Sequence, residues 1–352
     1  MIGNKIKKII EAGIMAPSGE NCQPWQLKVS GNNLDLYNNV ERDTSIYNQN
    51  QSGSMVAMGA FIENVLVASR VIGLTPQMKI STEIENRSHI ATFSFSESSS
   101  AEDPLYDAIP KRHTNRKLYS KIALNPDQVS ALINSGLEVG GGKVKLLMDH
   151  EKILNLSSPI SLNEQLIFEN KHLHNFFYNH ISWTKAEDAI KKDGFYIETL
   201  ELNTAQKTAM KLLKSWWFAK LAKLLGVTKQ IARDNAKNYA SASALGIISI
   251  PSNKAIDYIN AGRIMQRLWL KVTMMGYHLQ PMTGVLFFKQ ALLSGTDKFS
   301  HEEVIQINDA YEAISKAFEV RDDNIAMLFR IGNGGTPSAY SSRFEIESFL
   351  VK

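Results

Sequence analysis

The sequence predicts an α+β protein of two fused halves. Each half is a mainly antiparallel sheet flanked by helices, and long central helices meet at the seam between them. Three observations lead there. Two short alternating runs, 26–29 and 34–37, are turned at Gly31-Asn32-Asn33, which is a hairpin signal. The segment 53–73 sets Met55, Met58, Ala60, Ile62, Val65, Leu66 and Val67 among few polar positions, so it reads as a nearly all-buried helix ending at Gly73. A strand, an apolar helix, a glycine cap and a further strand then recur, with 62–73 and 268–276 as the corresponding helices.

The elements follow in order. Ile2, Ile6, Ile9, Ile10 and Ile14 recur at helical intervals with lysines between them, and Ala16-Pro17-Ser18-Gly19 stops that helix. After the hairpin and the buried helix come strands near Lys79 and over 90–95, and the acidic, serine-rich stretch 96–103 reads as a linker. Asn125-Pro126 starts a helix over 127–135, and Gly140-Gly141-Gly142 leads into a strand over 144–148. A buried strand over 244–250, a long helix over 256–275 capped by Gly276, and a last strand over 329–332 complete the pattern. The expected division is 1–105 for the first half and 106–352 for the second, with a basic helical insertion over about 155–240, all in one folded unit.

Composition narrows the chemistry. At 352 residues and 44% hydrophobic, the chain has material for a large core. A single cysteine, Cys22, excludes a disulfide framework and a multi-thiolate zinc site and fits a reducing compartment. The eight histidines show no metal-ligand spacing, so no metal is expected. A net charge of +4 does not by itself indicate nucleic acid. No export signal is read, and the apolar stretches are expected to fall short of the roughly 18–20 residues that span a bilayer. A soluble, cytoplasmic protein is therefore expected.

Two strings carry chemistry. In Ala16-Pro17-Ser18-Gly19-Glu20-Asn21-Cys22-Gln23-Pro24-Trp25 a tight loop presents Ser18, Asn21 and Gln23 between a helix and a strand. Amide side chains both donate and accept, which suits the edge of a flat, heteroatom-rich ligand, although the same residues serve an ordinary helix-to-strand turn. In Lys111-Arg112-His113-Thr114-Asn115-Arg116-Lys117, extended backbone would set Arg112, Thr114 and Arg116 on one side. Two guanidiniums and a hydroxyl form a phosphate clamp, and a solvated basic loop is the alternative. Neither string decides alone.

Together they resemble the flavin-dependent nitroreductase family. Its Pro-Ser-x-x-Asn-x-Gln-Pro-Trp loop is matched by 17–25 at every fixed position, and its basic motif by Arg112-His113-Thr114-Asn115-Arg116. His278-Leu279-Gln280-Pro281-Met282-Thr283-Gly284 is similar to the segment whose backbone lies along the flavin ring. Arg330-Ile331-Gly332 with Arg343 is similar to the C-terminal strand and basic group near the phosphate. Family members usually carry the basic motif first and the loop second, on subunits that share two sites. Here the order is reversed, as in the tandem-duplicated subfamily in which one chain mimics the dimer. The resemblance covers most of the chain outside about 155–240.

The resemblance implies one tightly held FMN per chain and NAD(P)H as co-substrate. Hydride would pass through flavin N5, ping-pong, to a small electron-poor acceptor such as a nitroaromatic or a quinone-like compound. It implies that Pro17, Ser18, Gly19, Asn21 and Gln23 form the loop that meets ring and ribityl chain. Arg112, His113, Thr114, Arg116, Arg330 and Arg343 would form the phosphate side, and Pro281, Met282, Thr283 and Gly284 the backbone beside N5 and O4. No side chain is assigned acid-base catalysis, and Cys22 reads as a packed thiol. The alternative is an FMN-sequestering protein with a closed lid. An internal dimer makes a monomer plausible.

The insertion has two readings. From 205 to 237 it carries Lys207, Lys211, Lys214, Lys220, Lys223, Lys229, Arg233 and Lys237 against Asp234 alone, with Leu212, Leu213, Trp216, Trp217, Leu221, Leu224 and Leu225 on the other side. The preferred reading packs the apolar side as a lid over the flavin or along the seam, with Phe176, Phe177, Tyr178 and Trp183 as core or channel wall. Contact with a membrane surface or a polyanion is the other.

Overall fold

Ile6, Ile9 and Ile10 recur on one face and are buried, which fixes helix α1 (Ile2–Gly13) against the core. The computed structural model describes residues 2–81, 88–120 and 122–351, and the side chain of Ile2 lies outside its description. Strands β1 (Trp25–Ser30) and β2 (Asn33–Asn38) pair with Ser30 opposite Asn33, a two-residue turn in which Gly31 holds a left-handed φ of 59°. Helix α2 (Ser52–Ile72) is buried almost throughout and ends at Gly73 in the left-handed region, φ 77°. Strands β3 (Leu74–Ile80) and β4 (His89–Glu97) complete an antiparallel sheet of order β1-β2-β4-β3.

The second half opens with α3 (Pro104–Ala108) and α4 (Pro126–Val139), whose Asn125 and Gln128 form a capping box. Strand β5 (Lys143–Leu147) follows. Next comes the insertion: α5 (His150–Ile160), α6 (Leu162–Glu169), α7 (Lys171–Asn179), β6 (Ile181–Ser182), α8 (Lys185–Lys191), β7 (Phe195–Tyr196), α9 (Thr204–Leu213), α10 (Trp216–Leu224) and α11 (Val227–Tyr239). Strand β8 (Ala244–Ile250), α12 (Ala255–Met274), β9 (His278–Pro281), α13 (Gly284–Leu293), α14 (His301–Ala317) and β10 (Asn324–Gly332) close the chain. The second sheet, β5-β8-β10-β9, is also antiparallel throughout. Counting each sheet's strands in chain order, both read first, second, fourth, third.

The helices between the second and third strands of the two sheets, α2 and α12, cross at a pair of glycines. A Cβ on Gly59 would stand 2.0 Å from the carbonyl oxygen of Ile259, and one on Gly262 would stand 2.0 Å from that of Val56. Only hydrogen fits at either position, so the two backbones touch. Glu63 pairs with Arg267 and Arg263, and Asn64 pairs with Gln266, along the same crossing. Side chains of both halves merge there into one core, including Trp25, Phe61, Phe93, Trp269 and Phe329. The C-terminal tail returns to the first half, where Leu27 exchanges backbone hydrogen bonds with Phe349 and Val351 beside β1.

Three expectations change. The stretch Ile46–Ile72 is long and apolar enough to cross a membrane, contrary to the sequence reading; 78% of its apolar window is buried inside the protein, because it contains the core helix α2. Helices α13 and α14 were not anticipated. Of the apolar residues expected to pack inward from 205–237, only Leu213 is buried, whereas Leu212, Trp217, Leu221, Leu224 and Leu225 are exposed. The residues of these helices that turn inward are Met210, Leu213, Ala219 and Ala222.

Candidate functional site

Between the loop after α1, the N-terminus of α13 and the inserted helices lies a cavity of about 290 Å³. Gly19 and Glu20 reach it from the loop, Arg116 from the basic string, and Pro281, Met282, Thr283 and Gly284 from the turn between β9 and α13. Phe176, Phe177, Phe195, Met210, Ile231 and Tyr239 supply apolar wall, so the first two aromatics of the 176–183 cluster face the cavity, while Tyr178 and Trp183 pack together outside it. Its volume sits at the low end of small-molecule sites, and its apolar walls are interrupted by polar groups, Glu20, Asp43, Arg116, Asn163, Glu164 and Gln280 among them.

The loop is held under strain. Glu20, Asn21 and Gln23 have φ of 44°, 56° and 51°, a left-handed conformation in three non-glycine residues. The amides hold it there: Gln23 Nε2 donates to the Asn21 and Lys192 carbonyls, Asn21 Nδ2 donates to those of Lys192 and Ser342, and Gln23 Oε1 accepts from the Phe344 N–H. Ser18 Oγ accepts from the Gln23 N–H at 2.9 Å. Asn21 and Gln23 therefore staple the loop to the cap of α8 and to the C-terminal tail, and the cavity receives Gly19 and Glu20 instead. Pro17, half-buried, leads the chain from α1 into this loop.

The basic string divides. It meets β9 at the single bridge Thr114–Leu279, so regular alternation does not extend along it. Arg112 turns back to the end of α1, where its Nη2 donates to the Met15 carbonyl and its guanidinium lies 4.5 Å from the Trp269 ring. Arg343 joins it, donating to the Ile14 and Ala16 carbonyls at 2.9 Å each. His113 meets the Tyr340 ring beside them, centroids 4.1 Å apart and planes tilted by 42°. Arg116 instead donates to the Thr199 carbonyl and lies 5.6 Å from the Phe195 ring.

Arg112 is 3% exposed, its Nε has no partner, and among the described residues neither it nor Arg343 has a carboxylate neighbour. Burial and then Arg343 push the Arg112 guanidinium down to about 9, and burial pushes that of Arg343 down to about 10. Burial, then Arg112 and Arg343, hold the His113 imidazole down to about 4. Buried like charges with an unfilled donor favour an incoming anion.

Arg330 is satisfied internally. It donates to Gln280 Oε1, to Asn238 and to the Lys117 carbonyl, and it lies 3.9 Å from the Tyr119 ring and 5.6 Å from that of Tyr239, behind the cavity wall that Gln280 and Tyr239 help to form.

Sequence reasoning missed the cavity's acids. Burial, then Asp43, push the Glu20 carboxyl up to about 8, with Arg116 opposing, and burial also raises Asp43 and Glu164. Asn163 donates to Glu164 Oε1, and the Tyr239 hydroxyl also meets the Glu164 carboxyl. Asn163 lies so close to Gly284 that a Cβ there would meet its Oδ1 at 2.2 Å. The one signal for Glu20 was its place inside the Pro-Ser loop; Glu164 lies in the unmatched insertion. Burial, then Asp43 and Glu20, raise the Cys22 thiol well above its ordinary value, so it stays a packed thiol.

No protein-family model matches the chain. An uncharacterized protein of Mycobacterium tuberculosis (strain CDC 1551 / Oshkosh) is 25% identical over 345 residues, 95% of this chain and 46% of its own length. A protein of the same strain, provisionally named an NAD(P)H nitroreductase, is 24% identical over 117 residues, 33% of this chain and 34% of its own. The chain thus spans about half the length, or less, of the curated relatives it matches. Among solved structures, a nitroreductase with bound FMN from Bacteroides fragilis has 10% identity, covers 71% of this chain and 99% of its own, and gives a TM-score of 0.40. The FMN-dependent nitroreductase of Mycobacterium smegmatis in complex with NADPH has 14% identity, covers 70% and 96%, and gives 0.38.

Proposed function

We propose that the chain holds one FMN and serves as an NAD(P)H-dependent oxidoreductase of the nitroreductase type, built as a tandem duplication and acting on a small electron-poor acceptor. The observation that carries this reading is the Arg112–Arg343 pair, two guanidiniums with an unfilled Nε and, among the described residues, no carboxylate neighbour, at the foot of the strained loop that leads into the cavity. These groups fit the phosphate of a flavin mononucleotide, and the aromatic-lined cavity fits its ring. The curated relative named for NAD(P)H nitroreduction points the same way.

When bound, an FMN would supply the hydride chemistry between NAD(P)H and the acceptor. The protein's own groups bind and orient. Arg112 and Arg343 neutralise the phosphate. The first N–H groups of α13, with no side-chain cap at Thr283, offer donors to an electron-rich edge. Glu20 keeps a proton on its carboxyl up to about pH 8, so the wall there presents a donor rather than a negative charge. Met210, Ile231 and Asn235, from α9 and α11, line the cavity on the side of the inserted helices.

Purified protein with flavin absorbance, lost in Arg112→Ala and in Arg343→Ala, supports the reading; a colourless protein that takes up no added FMN sinks it. The covering helices favour one second reading, a flavin-sequestering protein. Anaerobic mixing with NADH or NADPH separates the two, because an enzyme bleaches the flavin within turnover times and a store does not.

A further inference from the structure

Helix α10 is turned the wrong way for a soluble protein. Ala219 and Ala222 face inward and are buried, whereas Trp217 is 65%, Leu224 83% and Leu225 70% exposed, with Phe218 and Leu221 beside them. At about 100° per residue, 217, 221, 224 and 225 share one stripe, so the small side of the helix faces the protein and the large apolar side faces out. Leu212 on α9 and Val227 on α11 extend the exposed apolar surface. A contiguous patch of this kind marks a binding surface.

The charges around it name the partner's chemistry. Lys211, Lys214, Lys220, Lys229 and Arg233 are exposed, and among the described residues none of them is in a salt bridge. Asp234 is the one acid from 204 to 239, and it is taken by Lys237. Tryptophan, phenylalanine and leucine ringed by lysines with long apolar stems match the boundary between lipid headgroups and acyl chains. A second copy of the chain fits poorly, because a two-fold contact through this face would bring the lysines of both copies together.

We propose that α9, α10 and α11 form a docking surface for an anionic lipid bilayer. Trp217, Leu221, Leu224 and Leu225 enter the headgroup layer while the surrounding lysines meet lipid phosphates. Of these helices, α9 and α11 also send Met210, Ile231 and Asn235 into the cavity wall, so the outer face of the group docks while its inner face lines the site. The inference does not depend on the FMN reading.

The test is flotation of the full chain with vesicles of phosphatidylcholine alone and with about 30% phosphatidylglycerol. Each engaged lysine is worth about a fivefold change in partition, so binding should favour the anionic vesicles at least tenfold and fall at least tenfold between low and high salt. Trp217→Ser with Leu224→Ser and Leu225→Ser should lose binding at least tenfold, and so should Lys214→Glu with Lys220→Glu. All five side chains are exposed, so circular dichroism and melting temperature should stay unchanged in both variants. Absence of binding to anionic vesicles, equal binding to neutral ones, or a concentration-dependent dimer that the triple variant dissolves would each overturn the proposal.

Discussion

Replacing Arg112 with methionine should make the flavin-free protein more stable and the flavin-binding protein useless. In the fold the guanidinium is held from its ordinary value down to about 9, first by burial and then by Arg343. A folded-state value below the unfolded one means the charge opposes folding, fully at any pH below about 9 and less as pH rises above it. A displacement of that size is worth about 5 kcal/mol at most. Methionine forfeits the bond to the Met15 carbonyl and the contact with Trp269, together about 2 kcal/mol. The net expectation is a gain of about 2–3 kcal/mol at pH 7.5, read by urea unfolding of flavin-free protein in a buffer without phosphate or sulfate. FMN affinity should fall about 100-fold, the worth of a charge-assisted phosphate contact, while riboflavin, which lacks the phosphate, should bind both forms alike. A variant that is less stable than the parent and binds FMN equally well would refute the assignment of this pair to an anion.

Three further outcomes follow from the same geometry. Glu20 is raised to about 8, so its ionisation weakens the fold as pH climbs from the ordinary carboxylate range to that value; Glu20→Gln should gain up to about 4 kcal/mol over wild type between pH 5 and pH 8.5 in chemical denaturation, and a pH-independent difference would contradict this. Gly262→Ala puts a methyl 2.0 Å from the Val56 carbonyl oxygen and should cost about 3 kcal/mol by forcing α2 and α12 apart, whereas Gly276→Ala, with open space around it, should cost only the strain of a left-handed φ, about 1 kcal/mol; equal melting temperatures would be the contrary result. Arg330→Met strands the acceptors on Gln280, Asn238 and Lys117 and should destabilise by about 3 kcal/mol, with FMN affinity unchanged below the melting range; selective loss of FMN affinity would return Arg330 to the phosphate site.

The elements were legible where one residue type decides them. Gly31 and Gly73 mark turns that need a left-handed φ, and the isoleucines of α1 repeat on one face; both signals are local. The cavity was legible only at its rim. The Pro-Ser loop and the 281–284 turn could be named from their residues, but the roles within the loop could not, because Asn21 and Gln23 spend their amides on Lys192, Ser342 and Phe344, residues more than 160 positions away. Arg112 and Arg116 look equivalent four residues apart, and only the position of α1 and of Thr199 sends them to different partners. Glu164 and Tyr239 reach the cavity from an insertion with no motif to flag them. The outward face of α10 was hidden for a related reason: an amphipathic pattern says that one side is apolar, not that the protein lies on that side.

The strongest support for a duplicated chain is also the argument for a single site. Gly59 and Gly262 each lie 14 residues before the glycine that ends their helix, Gly73 and Gly276. Counted the same way, Glu63 corresponds to Gln266 and Asn64 to Arg267, so the Glu63–Arg267 and Asn64–Gln266 contacts, one ionic and one amide, map onto each other at that offset. The symmetry stops at the loops. Between α1 and β1 the chain has residues 14–24, enough to build the strained loop; between α4 and β5 it has only Gly140, Gly141 and Gly142. Three glycines cannot present a second Pro-Ser loop, and the helical insertion replaces the two-residue turn of the first hairpin with α5 to α11. Titration of flavin-free protein with FMN should therefore saturate at one equivalent per chain, with no second class of sites up to the highest concentration used. A ratio of two would mean that the three-glycine connection is no barrier and that the site is not built where the loop and the guanidinium pair meet.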